Sequence, residues 1–141
     1  MTETLFYADR SQRGRLRFTG RDRQTFLQGM VTNDVAALVP GGGCYAFMLD
    51  PTAHVLSDLR VVCRDSDLLV DVEPGQAAFV ADTLEQYLIM EKCAVADVTP
   101  VTAQFFVGGV PALELLGSWG ITDAAAWSQA QSTFASWPTH N

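Results

Sequence analysis

An α+β fold is predicted for this chain of 141 residues: a mostly antiparallel sheet of about six strands with three or four helices, in a single domain spanning 1–141. Three observations carry that prediction. Short apolar runs cluster between positions 15 and 72 and are separated by tight turns rather than by helices. One later segment carries a sustained stripe at helical spacing. Apolar residues make up 48% of the chain and charged residues 18%, so a packed core is within reach, and no repeat or linker divides the sequence.

The elements follow in order. Arg15-Leu16-Arg17-Phe18 alternates with period two and reads as a strand that Gly20 ends. Asp22 suits the first turn of a helix, where a carboxylate meets free N–H groups; Phe26, Leu27 and Met30 form its apolar face, and Gly29 loosens its end. Thr32-Asn33-Asp34 carries short polar side chains that bond their own backbone and hold a turn. Pro40-Gly41-Gly42-Gly43 breaks the chain. It invites a phosphate-cradle reading, but neither GxxxxGK[ST] nor GxGxxG is present, and a flexible loop explains it.

Strands are expected over 44–49, 55–63 and 68–72, joined by turns at Asp50-Pro51-Thr52-Ala53-His54 and Asp65-Ser66-Asp67, as an antiparallel meander. Pro74-Gly75 opens the strongest helix, with Ala77, Val80, Leu84, Tyr87 and Leu88 on one stripe. Strands are expected at 92–98 and 104–107, short helices at 111–116 and 123–130, and a last strand at 132–137.

Charge is unevenly spread within the net −7: six of the nine cationic side chains (Arg10, Arg13, Arg15, Arg17, Arg21 and Arg23) precede position 24, with only Glu3, Asp9 and Asp22 among the acids. Such asymmetry marks either an anion-binding face or alternate strand arginines that point to water. No basic stripe is interleaved with aromatics and the rest of the chain is acidic, which argues against nucleic acid as a partner. The longest unbroken apolar stretch is about five residues, too short to cross a bilayer, and no signal-peptide block opens the chain, so a cytoplasmic protein is expected. Cys44, Cys63 and Cys93 are far apart in apolar surroundings and read as small buried hydrophobes; His54 and His140 are too few and isolated for a metal site.

The stretch from Phe18-Thr19-Gly20-Arg21-Asp22 through Phe26-Leu27-Gln28-Gly29 to Thr32-Asn33-Asp34-Val35 is similar to a signature of the T-protein (aminomethyltransferase) superfamily. The resemblance continues through the glycine-rich loop, Tyr45, the turn at Asp50, Ser57-Asp58-Leu59-Arg60, and Tyr87-Leu88-Ile89 before Lys92. It covers nearly all of this chain and about the first half of a typical relative, so the downstream family domains are expected to be absent here. It implies a mixed α+β domain that packs with further domains around a tetrahydrofolate cavity.

In aminomethyltransferases an Asp-Asp-Leu occupies the strand held here by Ser57-Asp58-Leu59, and its carboxylate near the folate assists methylene transfer. The resemblance therefore implies Asp58 as the catalytic candidate, with Tyr45, Asp58, Arg60 and Asn33 as folate-binding candidates; Asn33 also reads as a holder of the turn after the first helix. Asp58 and Arg60 are two apart on a strand and share a face. Ser57 in place of the first acid looks more like the branch that maintains iron–sulfur enzymes, whose clients would be protein partners. Two departures from the family pattern are present: the Lys-Gly-Cys-x-x-Gly-Gln-Glu run of the maintenance branch is absent, and Glu73 stands where aminomethyltransferases tend to have Asn, a charge that would repel a carboxylated folate tail. Three readings follow: a tetrahydrofolate-binding domain serving iron–sulfur enzymes, a folate-dependent aminomethyltransferase in which Asp58 acts alone, and a non-catalytic subunit or scaffold that completes its fold by dimerising or by docking to missing domains.

Overall fold

The structure is a computed structural model that describes residues 4–109 and, beyond them, residues 114, 115, 118, 125, 126, 133 and 134. Its elements run β1 (Phe6–Asp9), β2 (Gly14–Thr19), α1 (Arg23–Gln28), β3 (Gly43–Leu49), β4 (Val55–Cys63), β5 (Leu68–Val72), α2 (Ala77–Glu85), β6 (Ala94–Asp97), a 3-10 turn (Thr99–Val101), β7 (Phe105–Gly108), β8 (Ala125–Ala126) and β9 (Thr133–Phe134). Five strands make one antiparallel sheet in the order β3-β4-β5-β2-β6, and β1 pairs with β7 in a separate ribbon.

Alternation sorts the central sheet into two faces. Leu16 and Phe18 of β2, Leu59 and Val61 of β4, and Leu68, Val70 and Val72 of β5 are fully buried on the inner face. Phe26 and Leu27 of α1 and Ala77, Val80, Ala81 and Leu84 of α2 close over them in one core. Each fully buried Leu or Val contributes about 1.5–3 kcal/mol by leaving water. The outer face carries Tyr45, Phe47, Asp58, Arg60, Asp71 and Arg17, and it is this face that bears the candidate site.

The expected meander of three strands is present as β3, β4 and β5, with nearly the predicted limits. Several other expectations are corrected. Two α-helices and seven strands are formed before residue 110, against the three or four helices and about six strands expected overall. The additional strand is β1, whose partner β7 (Phe105–Gly108) is distant in sequence, so no local pattern announces it. Ala125–Ala126 is extended and pairs with Thr133–Phe134, so the helix expected over 123–130 does not form there. Alanine is the best helix former, but helix propensity is a small term and yields to a strand partner that takes up the backbone groups. Of the expected helix at 111–116, Glu114 and Leu115 are helical and the other residues lie outside the described ones, as does much of the expected strand at 132–137.

Asp22 does precede α1, yet its side chain makes no capping bond. Its carboxylate accepts the Lys92 N–H at 2.7 Å instead, and its own N–H donates to the Lys92 carbonyl, tying the start of α1 to the segment before β6. Gly20 makes this close approach feasible: its φ is +103°, and a Cβ would lie 2.1 Å from the Lys92 carbonyl oxygen. Pro74 and Gly75 are not helical; Gln76 N–H bonds the Glu73 carbonyl across them, with Gly75 at φ +79°, which is a type II turn placed just before α2.

Candidate functional site

The site begins with strand pairing. Tyr45 on β3 lies opposite Arg60 on β4, and Phe47 lies opposite Asp58. A tyrosine is long enough to reach its diagonal neighbour, and the Tyr45 hydroxyl donates to Asp58 Oδ2 at 2.7 Å. The Arg60 guanidinium lies 5.5 Å from the centre of the Tyr45 ring, and Phe47 meets that ring edge-on at 5.3 Å. Arg60 is held from the other side by Asp71, 3.6 Å away on the neighbouring β5, and Asp71 is bonded at 2.8 Å by Arg13 Nε. Aromatic, acidic and basic groups thus run across the outer face from β3 to the start of β2.

Beside this array lies an open pocket of about 280 Å³, lined by Tyr45, Phe47, Val55, Leu56, Ser57, Asp58, Glu73 and Gln76. The hydrogen bond to Asp58, followed by partial burial, pushes the Tyr45 hydroxyl above its ordinary value of 10.0, because its ionisation would set two anions against each other. The phenol therefore remains a donor to Asp58 through neutral pH.

Of the four candidate residues, Tyr45 and Asp58 are brought together at the pocket. Arg60 stacks against Tyr45 without lining the pocket, and Asn33 stands at the edge of β3. Asn33 Nδ2 donates to the Tyr45 carbonyl at 2.8 Å, while its Oδ1 accepts the Asp34 N–H at 2.7 Å. Its neighbours do related work: the Thr32 N–H donates to the Phe47 carbonyl and Thr32 Oγ1 accepts the Phe47 N–H, both at 3.0 Å. Gln28 Oε1 accepts the N–H groups of Val35 and Ala36, and Gln24 Nε2 donates to the carbonyls of Val35 and Leu38. The glutamines and the Thr-Asn pair therefore fix the loop after α1 along the edge of β3, which sets the strand that carries Tyr45.

Sequence reasoning missed Phe47, Leu56 and Gln76 as pocket residues. Alternation on β3 and β4 would have placed Phe47 with Tyr45 and Leu56 with Asp58. Gln76 and Glu73 arrive through the turn between β5 and α2, and no local pattern points them at Asp58.

The arginine-rich start is neither a free anion-binding face nor a row of solvated side chains. Arg13 pairs with Asp71, and Arg17 with Asp67. Arg10 lies over the Phe106 ring, and Arg23 bonds the carbonyls of Gly20 and Asp65. Arg15 is only 8% exposed and donates to the carbonyls of Ser11, Arg13, Thr99 and Thr102, to Thr102 Oγ1 and to Gln104 Oε1. Its charge strengthens these bonds and fastens the segment before β7 onto the sheet. The glycine loop is likewise committed: Gly41 N–H donates to the Cys63 carbonyl and Gly42 N–H to that of Val39, leaving no cradle at those two positions. Burial pushes the thiols of Cys44, Cys63 and Cys93 above their ordinary value, consistent with inert side chains. Among the described residues no group of three or more His, Cys, Asp or Glu is placed to hold a metal, and no helix is long and apolar enough to cross a membrane.

The chain is thus an antiparallel sheet backed by two helices, with an acid–tyrosine pocket on the outer face of the sheet. Residues 2–141 match the GCVT N-terminal domain family, and the chain belongs to it. The glycine cleavage system aminomethyltransferase T from Bartonella henselae shares its fold, with a TM-score of 0.76 and 19% identity, over 91% of this chain and 37% of that one. A chloroplastic protein of Arabidopsis thaliana named as a transferase is 26% identical over 116 residues, 82% of this chain and 27% of the relative. An aminomethyltransferase of Bacillus velezensis is 42% identical over 53 residues, 38% of this chain and 14% of its own length. The chain thus spans about a quarter of the length of the plant relative and less of the bacterial one.

Proposed function

We propose that this chain supplies one wall of a tetrahydrofolate site of the aminomethyltransferase type, with the Tyr45–Asp58 pair as its polar centre. The observation that carries this reading is the 2.7 Å hydrogen bond from Tyr45 to Asp58 at the rim of an open pocket of about 280 Å³. The lining suits part of a folate: the edge-on Tyr45 and Phe47 rings offer apolar surface to a flat heterocycle, and Asp58 accepts hydrogen bonds from ring or amine N–H groups. When bound, tetrahydrofolate supplies the nitrogen centres that carry the one-carbon unit. Asp58 orients an amine nitrogen and balances positive charge that develops there; Tyr45 holds Asp58, and Arg60 and Asn33 hold Tyr45. The pocket is too open to enclose a whole folate, so residues 1–141 act as one domain whose facing wall comes from a following domain or a partner chain.

The iron–sulfur maintenance reading depends on Ser57 replacing the first acid of Asp-Asp-Leu. Ser57 is 8% exposed and sits on the inner face of β4, whereas Asp58 faces outward beside Tyr45. The replacement therefore leaves the outward acid in place, which favours the aminomethyltransferase type of folate chemistry over the maintenance role.

Calorimetric titration with tetrahydrofolate tests the proposal. A one-walled site should bind with a Kd of about 0.1–1 mM. Asp58→Asn and Tyr45→Phe should each weaken binding about fivefold to tenfold, with circular dichroism unchanged because both side chains lie on the outer face. Absence of binding at millimolar ligand, or an Asp58→Asn protein that binds as tightly as the parent, would refute it.

A further inference from the structure

We propose that Glu73 is a specificity-determining residue of the Tyr45–Asp58 pocket, and that it selects a ligand whose buried end is an amine or organic cation rather than a carboxylate or phosphate. The inference rests on the reading of this pocket as a ligand site.

The argument is one of charge placed against an aromatic wall. Glu73 and Asp58 both line the pocket, and among the described residues no lysine or arginine does. The nearest guanidinium, Arg60, is directed to the Tyr45 ring and to Asp71, whose carboxylate offsets its charge. Glu73 is exposed and, among the described residues, its carboxylate makes no hydrogen bond or ion pair, so its charge is not spent on the fold. Its backbone is the first residue of the type II turn, closed by the bond from Gln76 N–H, which delivers both Glu73 and Gln76 to the rim. Two carboxylates beside Tyr45 and Phe47 attract a cation whose body packs on the rings. The same carboxylates repel an anion over several ångströms at ordinary ionic strength. For a ligand with an amine-bearing ring at one end and carboxylates at the other, Glu73 fixes the direction of entry: ring inward, carboxylates away.

The test uses three probes of similar body and different charge: benzyltrimethylammonium, benzyl alcohol and phenylacetate. Their dissociation constants are read by chemical-shift titration on the full chain, with Glu73→Gln and Glu73→Asp variants beside the parent. In the parent, affinity should fall from cation to neutral to anion. Glu73→Gln should lower the ratio of cation to anion affinity about threefold to tenfold, and Glu73→Asp should largely keep it. Thermal unfolding should be the same in all three proteins, since the side chain supports nothing. A ratio unmoved by Glu73→Gln, a preference for phenylacetate, or failure of all three probes to shift pocket resonances would overturn the inference. Tetrahydrofolate titration of the same proteins separates the two claims. An intact charge preference without folate binding defeats only the folate reading; folate binding with an unaltered ratio in Glu73→Gln defeats only the role of Glu73.

Discussion

Ser57 and Asp58 are adjacent in sequence and serve opposite faces of one sheet. Ser57 is buried with the core, its Oγ turned back to the Asp58 carbonyl, while Asp58 reaches across to the Tyr45 hydroxyl. A motif read as a string treats the two positions as one carboxylate pair; the period of a strand separates them. The Tyr45–Asp58 bond also has a signature of its own. The carboxylate acceptor raises the Tyr45 hydroxyl above 10.0, so the stabilisation this bond contributes is complete below that value and is lost as pH rises through the higher folded one. With Tyr7 and Tyr87 changed to Phe, an ultraviolet titration should show one phenol ionising above 10.0. Asp58→Asn should bring it down. A titration curve that Asp58→Asn leaves in place would show that the pair does not persist in solution.

At the scale of elements, the segment from α1 to β3 explains why the Phe-Leu-Gln-Gly and Thr-Asn-Asp-Val runs occur together. Phe26 and Leu27 anchor α1 in the core, Gln28 accepts two N–H groups from the loop, and Thr32 and Asn33 bond the backbone of Phe47 and Tyr45. β3 is the outermost strand of the central sheet, and these bonds occupy part of its otherwise open edge. Gln28→Ala should leave the Ala36 N–H without its acceptor and the Val35 N–H with only the Asn33 carbonyl, and cost about 1–2 kcal/mol in urea unfolding. Gln28→Glu keeps an acceptor at the same reach and should stay nearer the parent. Faster amide exchange at Tyr45 and Phe47 in the alanine variant would show the edge loosening with it. Indifference of both stability and exchange to Gln28→Ala would remove this account of the signature.

At the scale of the whole molecule, the arginines distribute stability across segments far apart in sequence. Asp67, 1% exposed, accepts Arg64 through both carboxylate oxygens and Arg17 Nε at 2.7 Å, joining the β4–β5 turn to β2. Burial alone would raise its carboxyl, but the two guanidinium groups outweigh that and hold it below 3.8. Its contribution is therefore full above pH 3.8 and is lost as pH falls through the lower folded value. Asp67→Asn should cost on the order of 2 kcal/mol at neutral pH, less than a fully buried pair because Arg17 and Arg64 are partly exposed. It should also flatten the acid limb of a stability-against-pH curve. An acid limb identical to the parent's would assign acid unfolding to other carboxylates.

What the amino-acid sequence determined by itself was local. Alternation at Leu16 and Phe18 and along 55–63 and 68–72, turns at Asp50 and Asp65, and the stripe of Ala77, Val80 and Leu84 specify the central strands and α2, because side-chain period follows backbone geometry within a few residues. The same strand logic put Asp58 and Arg60 on one face, and the resemblance to T-proteins named Tyr45. Tertiary structure alone decided the rest. It paired β1 with β7, tied five early arginines (Arg10, Arg13, Arg15, Arg17 and Arg23) to carboxylates, carbonyls or a ring, moved Asp22 from helix cap to a tie with Lys92, and brought Glu73 to the pocket of Asp58 through a turn. Each of those outcomes depends on which distant backbone and charge come within a few ångströms, and hydrogen bonds and ion pairs form only at that range, so sequence spacing carries no record of them.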